Sequence, residues 1–135
     1  MPSKLILTRR WVRRLLLASL LIGTMLGIAG GATYWWWFQA PYEKVADIVY
    51  GERDGKQLLL DVFRPPQQNG AAVVVMVSGS WKSSAGSVRP FLFAPFLRRG
   101  YTVFAVRHLS QPECLIGNIV ADVERAVRYI RHYSE

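Results

Sequence analysis

Hydrophobic residues form one long run near the N-terminus and several short runs after it. The long run, Leu15 to Phe38, contains no charged residue. At a rise of about 1.5 Å per residue, a helix of this length can cross a hydrocarbon core of about 30 Å. The pattern therefore predicts one transmembrane helix, residues 15–38, ahead of everything else in the chain.

The charged residues indicate how that helix is oriented. The chain has 17 basic and 9 acidic residues, a net charge of +8. Five of the basic residues precede Leu15, namely Lys4, Arg9, Arg10, Arg13 and Arg14. Because basic residues flank the cytoplasmic end of membrane helices, segment 1–14 is predicted to be cytoplasmic and residues 39–135 periplasmic or extracellular. The remaining charge is nearly balanced, so we predict no nucleic-acid partner.

Two other export signals fit the same N-terminus. A cleaved signal peptide would explain the basic start, the apolar run and the small residues at Ala29 to Ala32. Thr8 to Val12 also resembles a twin-arginine signal. The tryptophans at 35–37 favour an uncleaved signal anchor, because aromatic side chains hold helix ends at the membrane interface. Under each alternative, residues 39–135 leave the cytoplasm.

Short apolar runs after Gln39 predict strands. Val45 to Tyr50 and Leu58 to Phe63 flank Asp54-Gly55, a tight-turn signal, so we expect an antiparallel hairpin. Ala72 to Val77 is apolar at every position. Such a run suits a central parallel strand that is buried on both faces.

Helical patterns alternate with the later strands. Phe91 to Arg99 predicts a helix that starts near Phe93 or Ala94, with Pro95 in its first turn. Tyr101 to Val106 is the next strand. Ile119 to His132 has apolar residues at helical spacing, and its charged residues, Asp122 among them, lie mostly outside that stripe. A hairpin followed by strand, helix, strand and helix is the start of an α/β sheet, in which ligand loops follow the carboxyl ends of strands.

Several sequence pieces together resemble a known family. They are Val49-Tyr50-Gly51, Asp54-Gly55-Lys56, Leu58 to Pro65, Ser78-Gly79-Ser80-Trp81, Arg99 to Val106 and Asp122 to Arg131. In this order they resemble the N-terminal part of an α/β-hydrolase of the esterase and lipase group, including relatives of feruloyl and acetyl-xylan esterases. The resemblance implies the fold class: the N-terminal half of an α/β-hydrolase sheet, preceded by one transmembrane helix.

The resemblance also implies a site. In that family a His-Gly-Gly-Gly-Trp type loop supplies backbone N–H groups to the oxyanion hole. Gly79, Ser80 and Trp81 occupy the matching positions here, with Ser78 in place of the histidine and Ser80 in place of a glycine. The family likeness places the Trp81 side chain beneath the loop. The competing interpretation is that the loop is only a tight connection after a buried strand.

The catalytic residues of the family have no counterpart in this chain. The G-x-S-x-G nucleophile elbow is expected after the last helix, so residues 39–135 are interpreted as a partial domain that lacks it. Ser84-Ala85-Gly86 echoes the elbow, but Lys82 replaces its first glycine. His108, His132 and Cys114 are interpreted as structural residues. We therefore predict no catalytic residue, no metal and no cofactor.

The sequence predicts the N-terminal fragment of a membrane-anchored or exported carboxylic-ester hydrolase that is inactive alone. The full-length relative would act on a small-molecule ester. The alternative is a small membrane-tethered protein without catalytic function, which binds a partner through its incomplete sheet.

Overall fold

The computed structural model describes residues 3–133, and the side chains from residue 9 onward. Residues 1, 2, 134 and 135, which belong to the predicted segments 1–14 and 39–135, lie outside the described residues, as does the side chain of Lys4. The chain divides into two compact units, residues 1–37 and 38–135.

The described part of the first unit, residues 3–37, belongs to one helix, α1, which runs Ser3–Phe38. Its stretch Arg9–Phe38 has a window of mean hydropathy 2.0, and that window is not buried by other parts of the protein. Within the described residues, α1 is the one helix that is long and apolar enough to cross a membrane. A membrane anchor and an export signal both satisfy this test.

The second unit is a mixed α/β layer structure. Its elements are β1 (Glu43–Arg53), β2 (Lys56–Arg64), β3 (Ala72–Val77), α2 (Ala94–Leu97), β4 (Thr102–Arg107) and α3 (Ile116–Tyr133). Two short 3-10 turns, Ala85–Ser87 and Pro90–Leu92, precede α2. Pro95 lies in the first turn of α2, as predicted. The predicted strands and helices are all present, with shifted ends.

The four strands form one sheet in the order β1-β2-β4-β3. β1 and β2 pair as the predicted antiparallel hairpin, and the residues of its turn, Asp54 and Gly55, have φ values of 52° and 72°. β4 pairs antiparallel with β2 and parallel with β3, where Ala72 faces Thr102 and Val77 faces Arg107. The hairpin therefore enters the sheet beside the parallel pair.

Helices cover both faces of the sheet. On one face, α3 residues such as Ala126 and Ile130 pack against Leu60, Val62 and Val106. On the other face, α2 and the segment before it cover a second cluster, which comprises Phe63, Val77, Val88, Phe93, Leu97, Val103 and Ala105. Successive residues of β2 and β4 point to opposite faces of the sheet and therefore pack in different clusters, as the two-residue period of a strand requires.

The predicted burial of both faces of β3 was wrong. Val73 and Val75 pack against the second cluster, but Val74 and Met76 are 39% and 43% exposed. These two side chains point away from that cluster, and β3 lies at the edge of the sheet that the described residues form. No described helix covers this part of the opposite face, so the apolar run is only half covered.

Two buried carboxylates hold the hairpin in place. Asp61 of β2 is 1% exposed. Its Oδ2 lies 2.9 Å from Lys44 Nζ. Its Oδ1 accepts hydrogen bonds of 3.1 Å from Arg107 Nη2 and from the Asp47 N–H. On α3, Asp122 is fully buried and accepts two hydrogen bonds of 2.8 Å from Arg53. Because buried charges require partners, these contacts tie β1 to β2, β4 and α3.

The predicted place of Asp122 on the polar side of the last helix was wrong. Asp122 lies between Ile119 and Ala126 on the face that is buried against the sheet. The spacing of three and four residues was visible in the sequence. A carboxylate is normally exposed, but Arg53 from β1 neutralises Asp122 here.

Asp61 makes the stability of the fold depend on pH. Burial acts to raise the pKa of Asp61, but the bonds from Lys44 and the Asp47 N–H, together with the charge of Arg107, hold that pKa below its usual value. A lowered pKa in the folded state contributes stability that is complete above the ordinary value of about 3.9 and is lost as the pH falls through the folded value.

We predict that Asp61→Asn lowers the free energy of unfolding at pH 7 by roughly 2 kcal/mol, because it leaves buried donors without their charged acceptor. The difference from the unchanged chain should shrink below about pH 4. Urea unfolding of the full chain in detergent across this pH range measures it. Glu124→Gln, which removes an exposed pair with Arg128, is the control and should change little. A pH-independent loss for Asp61→Asn would contradict the assignment.

Candidate oxyanion site at the carboxyl end of β3

The loop after β3 is a tight two-residue turn. The Gly79 N–H donates to the Lys82 carbonyl at 2.9 Å, and the Lys82 N–H donates back to the Gly79 carbonyl at 3.0 Å. Between them, Ser80 and Trp81 have φ values of 51° and 60°. A hairpin turn with positive φ at both central positions normally uses glycine or asparagine there.

Two backbone donors of this turn are free. Within the described part of the chain, the N–H groups of Ser80 and Trp81 have no hydrogen-bond acceptor, whereas that of Gly79 is used inside the turn. Ser80 and Trp81 also adopt the left-handed conformation, which costs a residue with a side chain roughly 1–2 kcal/mol. The loop therefore presents two adjacent donors in a strained conformation.

The segment after β4 supports the turn. The Gln111 N–H donates to the Trp81 carbonyl at 3.0 Å. The Ser83 N–H donates to Ser110 Oγ at 3.0 Å, and that hydroxyl donates to the Ser83 carbonyl at 3.3 Å. Because β3 and β4 are parallel, their carboxyl ends lie at one edge of the sheet, where these loops meet.

The predicted packing of Trp81 beneath the loop was wrong. Its side chain is 41% exposed. The hydrogen bonds of the turn are made by Gly79, Lys82 and the Trp81 carbonyl, so the conformation is held by backbone groups without the indole.

A small cavity of about 140 Å³ lies beside the loop. Ser83, Ser84, Arg107 and His108 are among the residues that line it. Ser83 Oγ and His108 Nε2 are buried and have no hydrogen-bond partner among the described residues, so the serine is not bonded to the imidazole. His108 Nδ1 lies 2.6 Å from the Leu109 carbonyl oxygen, which requires a donor at Nδ1 and leaves Nε2 as an acceptor in the neutral ring.

Ion pairs and a hydrogen bond hold Arg107, the last residue of β4, in place. Its guanidinium contacts the carboxylates of Asp47 and Asp61, and its carbonyl accepts a bond of 2.8 Å from the Tyr50 hydroxyl. Burial, and then the negative charge of Asp122, raises the pKa of Tyr50 above its ordinary value. The phenol therefore stays protonated and remains a donor at neutral pH.

The other residues considered from the sequence lie apart from the turn donors. Ser84 is exposed, and its hydroxyl bonds to the hydroxyl of Ser87. His132 is in the last turn of α3 and stacks edge-on against Tyr133. Cys114 is buried; burial raises the pKa of its thiol, and the charge of Asp122 raises it further, so the thiol is not an activated nucleophile.

Solved structures are similar to this chain in fold. A truncated carbohydrate esterase from gut microbiota is 24% identical, with a TM-score of 0.59, and the match covers 71% of this chain and 37% of that one. A putative thioesterase from Silicibacter sp. is 25% identical, with a TM-score of 0.54, over 63% of this chain and 32% of that one. Esterase B from Lactobacillus rhamnosis is 17% identical, with a TM-score of 0.56, over 87% and 40%.

Neither a family model nor a curated protein matches the sequence. The chain spans about a third to two fifths of the length of the three structures described above. Nothing in these similarities supports a non-catalytic interaction protein. The sheet order and these neighbours together show that this chain shares part of the α/β fold of the three structures.

Proposed function

We propose that this chain is the N-terminal part of a membrane-anchored carboxylic-ester hydrolase and supplies donors to its oxyanion hole. One observation carries the proposal: Ser80 and Trp81 present free N–H groups from a strained turn at the carboxyl end of β3. Strain of this kind persists where a loop conformation serves a site. The esterase neighbours support a small-molecule ester as the substrate class.

The chemistry of ester cleavage explains the use of such a turn. Attack on the ester carbonyl converts its oxygen into an oxyanion, and donors that already point at that position stabilise the charge without reorganisation. One such donor contributes about 10²–10³-fold to the rate. In the proposed site Ser80 and Trp81 donate, and Gly79, whose N–H bonds Lys82, closes the turn that aims them.

The nucleophile of the proposed enzyme is not among the described residues. Ser84 bonds a second serine, and Ser83 lacks a bond to His108. A serine nucleophile requires a base within hydrogen-bond reach and a third group that orients the base. We therefore propose that these 135 residues do not hydrolyse esters when they are alone.

The proposed location combines α1 with its basic end. As a signal anchor, α1 would keep its arginines in the cytoplasm and the unit of residues 38–135 on the periplasmic or extracellular side. No nucleic acid enters this proposal, because the excess charge lies next to the apolar helix.

We predict that Ser80→Gly stabilises the protein by roughly 0.5–1 kcal/mol, because glycine adopts positive φ without the side-chain penalty. Ser84→Gly is the matched control: Ser84 is extended at φ −154°, so this change should be destabilising through added freedom of the unfolded chain. Urea unfolding of both full-length variants in detergent measures the difference. A destabilising Ser80→Gly would contradict the strained turn.

We predict that a tetrahedral anion binds the turn. In an NMR titration of the full chain in detergent with methyl methylphosphonate, the amide signals of Ser80 and Trp81 should shift with concentration, and that of Gly79 much less. Neutral dimethyl methylphosphonate keeps the tetrahedral phosphorus, carries one more methyl group in place of the charge, and should leave all three signals in place. Equal shifts with both compounds, or none with the anion, would rule out the proposed oxyanion donors.

We predict no turnover of p-nitrophenyl acetate by the purified chain above the buffer rate. A fluorophosphonate probe, which labels activated serines, should likewise leave the chain unlabelled. Ser83→Ala and Ser84→Ala should match the unchanged chain in both assays. Hydrolysis that disappears with either substitution would show that a nucleophile is already present.

A further inference from the structure

The basic end of α1 carries a one-sided stripe of arginines. At about 100° per residue, Arg9, Arg10, Arg13 and Arg14 project within an arc of roughly 140° of the helix. All four are exposed, and so is Trp11, at 60%. The stripe runs directly into the charge-free segment that starts at Leu15.

Among the described residues this stripe has no negative partner. The first acidic residue is Glu43, and none of the four arginines has an ion-pair partner among the described side chains. Arg9 and Arg13, like Arg10 and Arg14, are four residues apart, and like charges at this spacing destabilise a helix. The arrangement is stabilised when anions from outside the chain lie between the guanidinium groups.

The length of the helix places the stripe at the depth of lipid phosphates. Residues 15–38 extend about 36 Å as a helix, slightly more than a hydrocarbon core of about 30 Å. The six residues 9–14 add about 9 Å, which is comparable to one polar headgroup layer. Trp11 lies in the same turns, and tryptophan is enriched at that interface.

We propose that Arg9, Arg10, Arg13 and Arg14 form a binding site for the phosphate groups of anionic phospholipids in the cytoplasmic leaflet. The site rests on the membrane anchor under Proposed function. A guanidinium group binds phosphate oxygens in a bidentate manner, and two neighbouring arginines can share one headgroup. The anion is a lipid rather than free phosphate because the apolar helix holds the stripe at the bilayer surface.

Lipid retention tests the proposal. The full chain is incubated in micelles with equal amounts of phosphatidylglycerol and phosphatidylcholine, separated by size exclusion, and analysed for bound lipid by mass spectrometry. We expect phosphatidylglycerol to be enriched about tenfold or more, since every basic residue near an anionic membrane surface adds to the attraction. Excess inorganic phosphate should not remove the enrichment.

Matched variants identify the residues. Changing the four arginines to glutamine should bring the lipid ratio close to one, whereas four lysines should keep much of the preference. The control changes four exposed cations of residues 38–135 to glutamine and should keep the full enrichment; it comprises Arg64→Gln, Lys82→Gln, Arg89→Gln and Arg128→Gln. Equal loss in the control would overturn the site, because net charge alone would then explain the effect.

Alkaline carbonate extraction of membranes separates this proposal from the anchor on which it rests. A chain that carbonate removes refutes the anchor. A chain that resists carbonate but retains both lipids equally refutes the lipid site and leaves the anchor standing. The double variant Arg9→Lys, Arg10→Lys tests an export signal. If it stops export, and the unchanged chain retains phosphatidylglycerol and phosphatidylcholine equally, the arginine pair is an export signal and the lipid site is refuted.

Discussion

The candidate site depends on the parallel pairing of β3 with β4. That register sets Val77 beside Arg107, so the chain leaves both strands at the same edge of the sheet. The turn at 79–82 and the segment at 108–111 then meet, and Gln111 and Ser110 hold the backbone on either side of Lys82. An antiparallel β3 would place its following loop at the other end of β4, away from these contacts.

Buried charge in turn ties β4, the partner of β3, to the hairpin. Arg107, the last residue of β4, contacts Asp61 in the neighbouring β2, and Lys44 of β1 contacts the same carboxylate. Such an arrangement is destabilised strongly when one member is removed, because a buried charge loses its partner. Polar groups therefore link the hairpin to the strand that supports the candidate site, while apolar residues fill both faces around them.

Strain and exposure coincide at the turn. Most residues of the sheet adopt conformations that their side chains favour, but Ser80 and Trp81 both have positive φ. The hydrogen bonds of Gly79, Lys82 and Gln111 compensate for the strain. With these bonds in place, the N–H groups of Ser80 and Trp81 have no acceptor among the described residues. The N–H of Gly79, the third residue expected from the family resemblance, is used inside the turn.

Local patterns in the sequence were sufficient to predict the helices and strands. The charge-free run after Arg14, the Asp54-Gly55 turn and the apolar strands each reflect an interaction between near neighbours, and all correspond to elements of the structure. The position of Pro95 in α2 followed from proline geometry in the same way. The resemblance carried by short motifs indicated the α/β-hydrolase fold and the loop after β3.

Local patterns could not predict contacts between residues that are distant in the sequence. Asp122 is buried because Arg53, 69 residues earlier, neutralises it, and no periodicity reveals such a partner. Val74 and Met76 are exposed because the described helices do not extend over β3, although their hydrophobicity alone indicated burial. The sequence also does not reveal which N–H groups of the turn are free. Every non-proline residue has the same backbone N–H, and only the folded structure decides which of them have an acceptor.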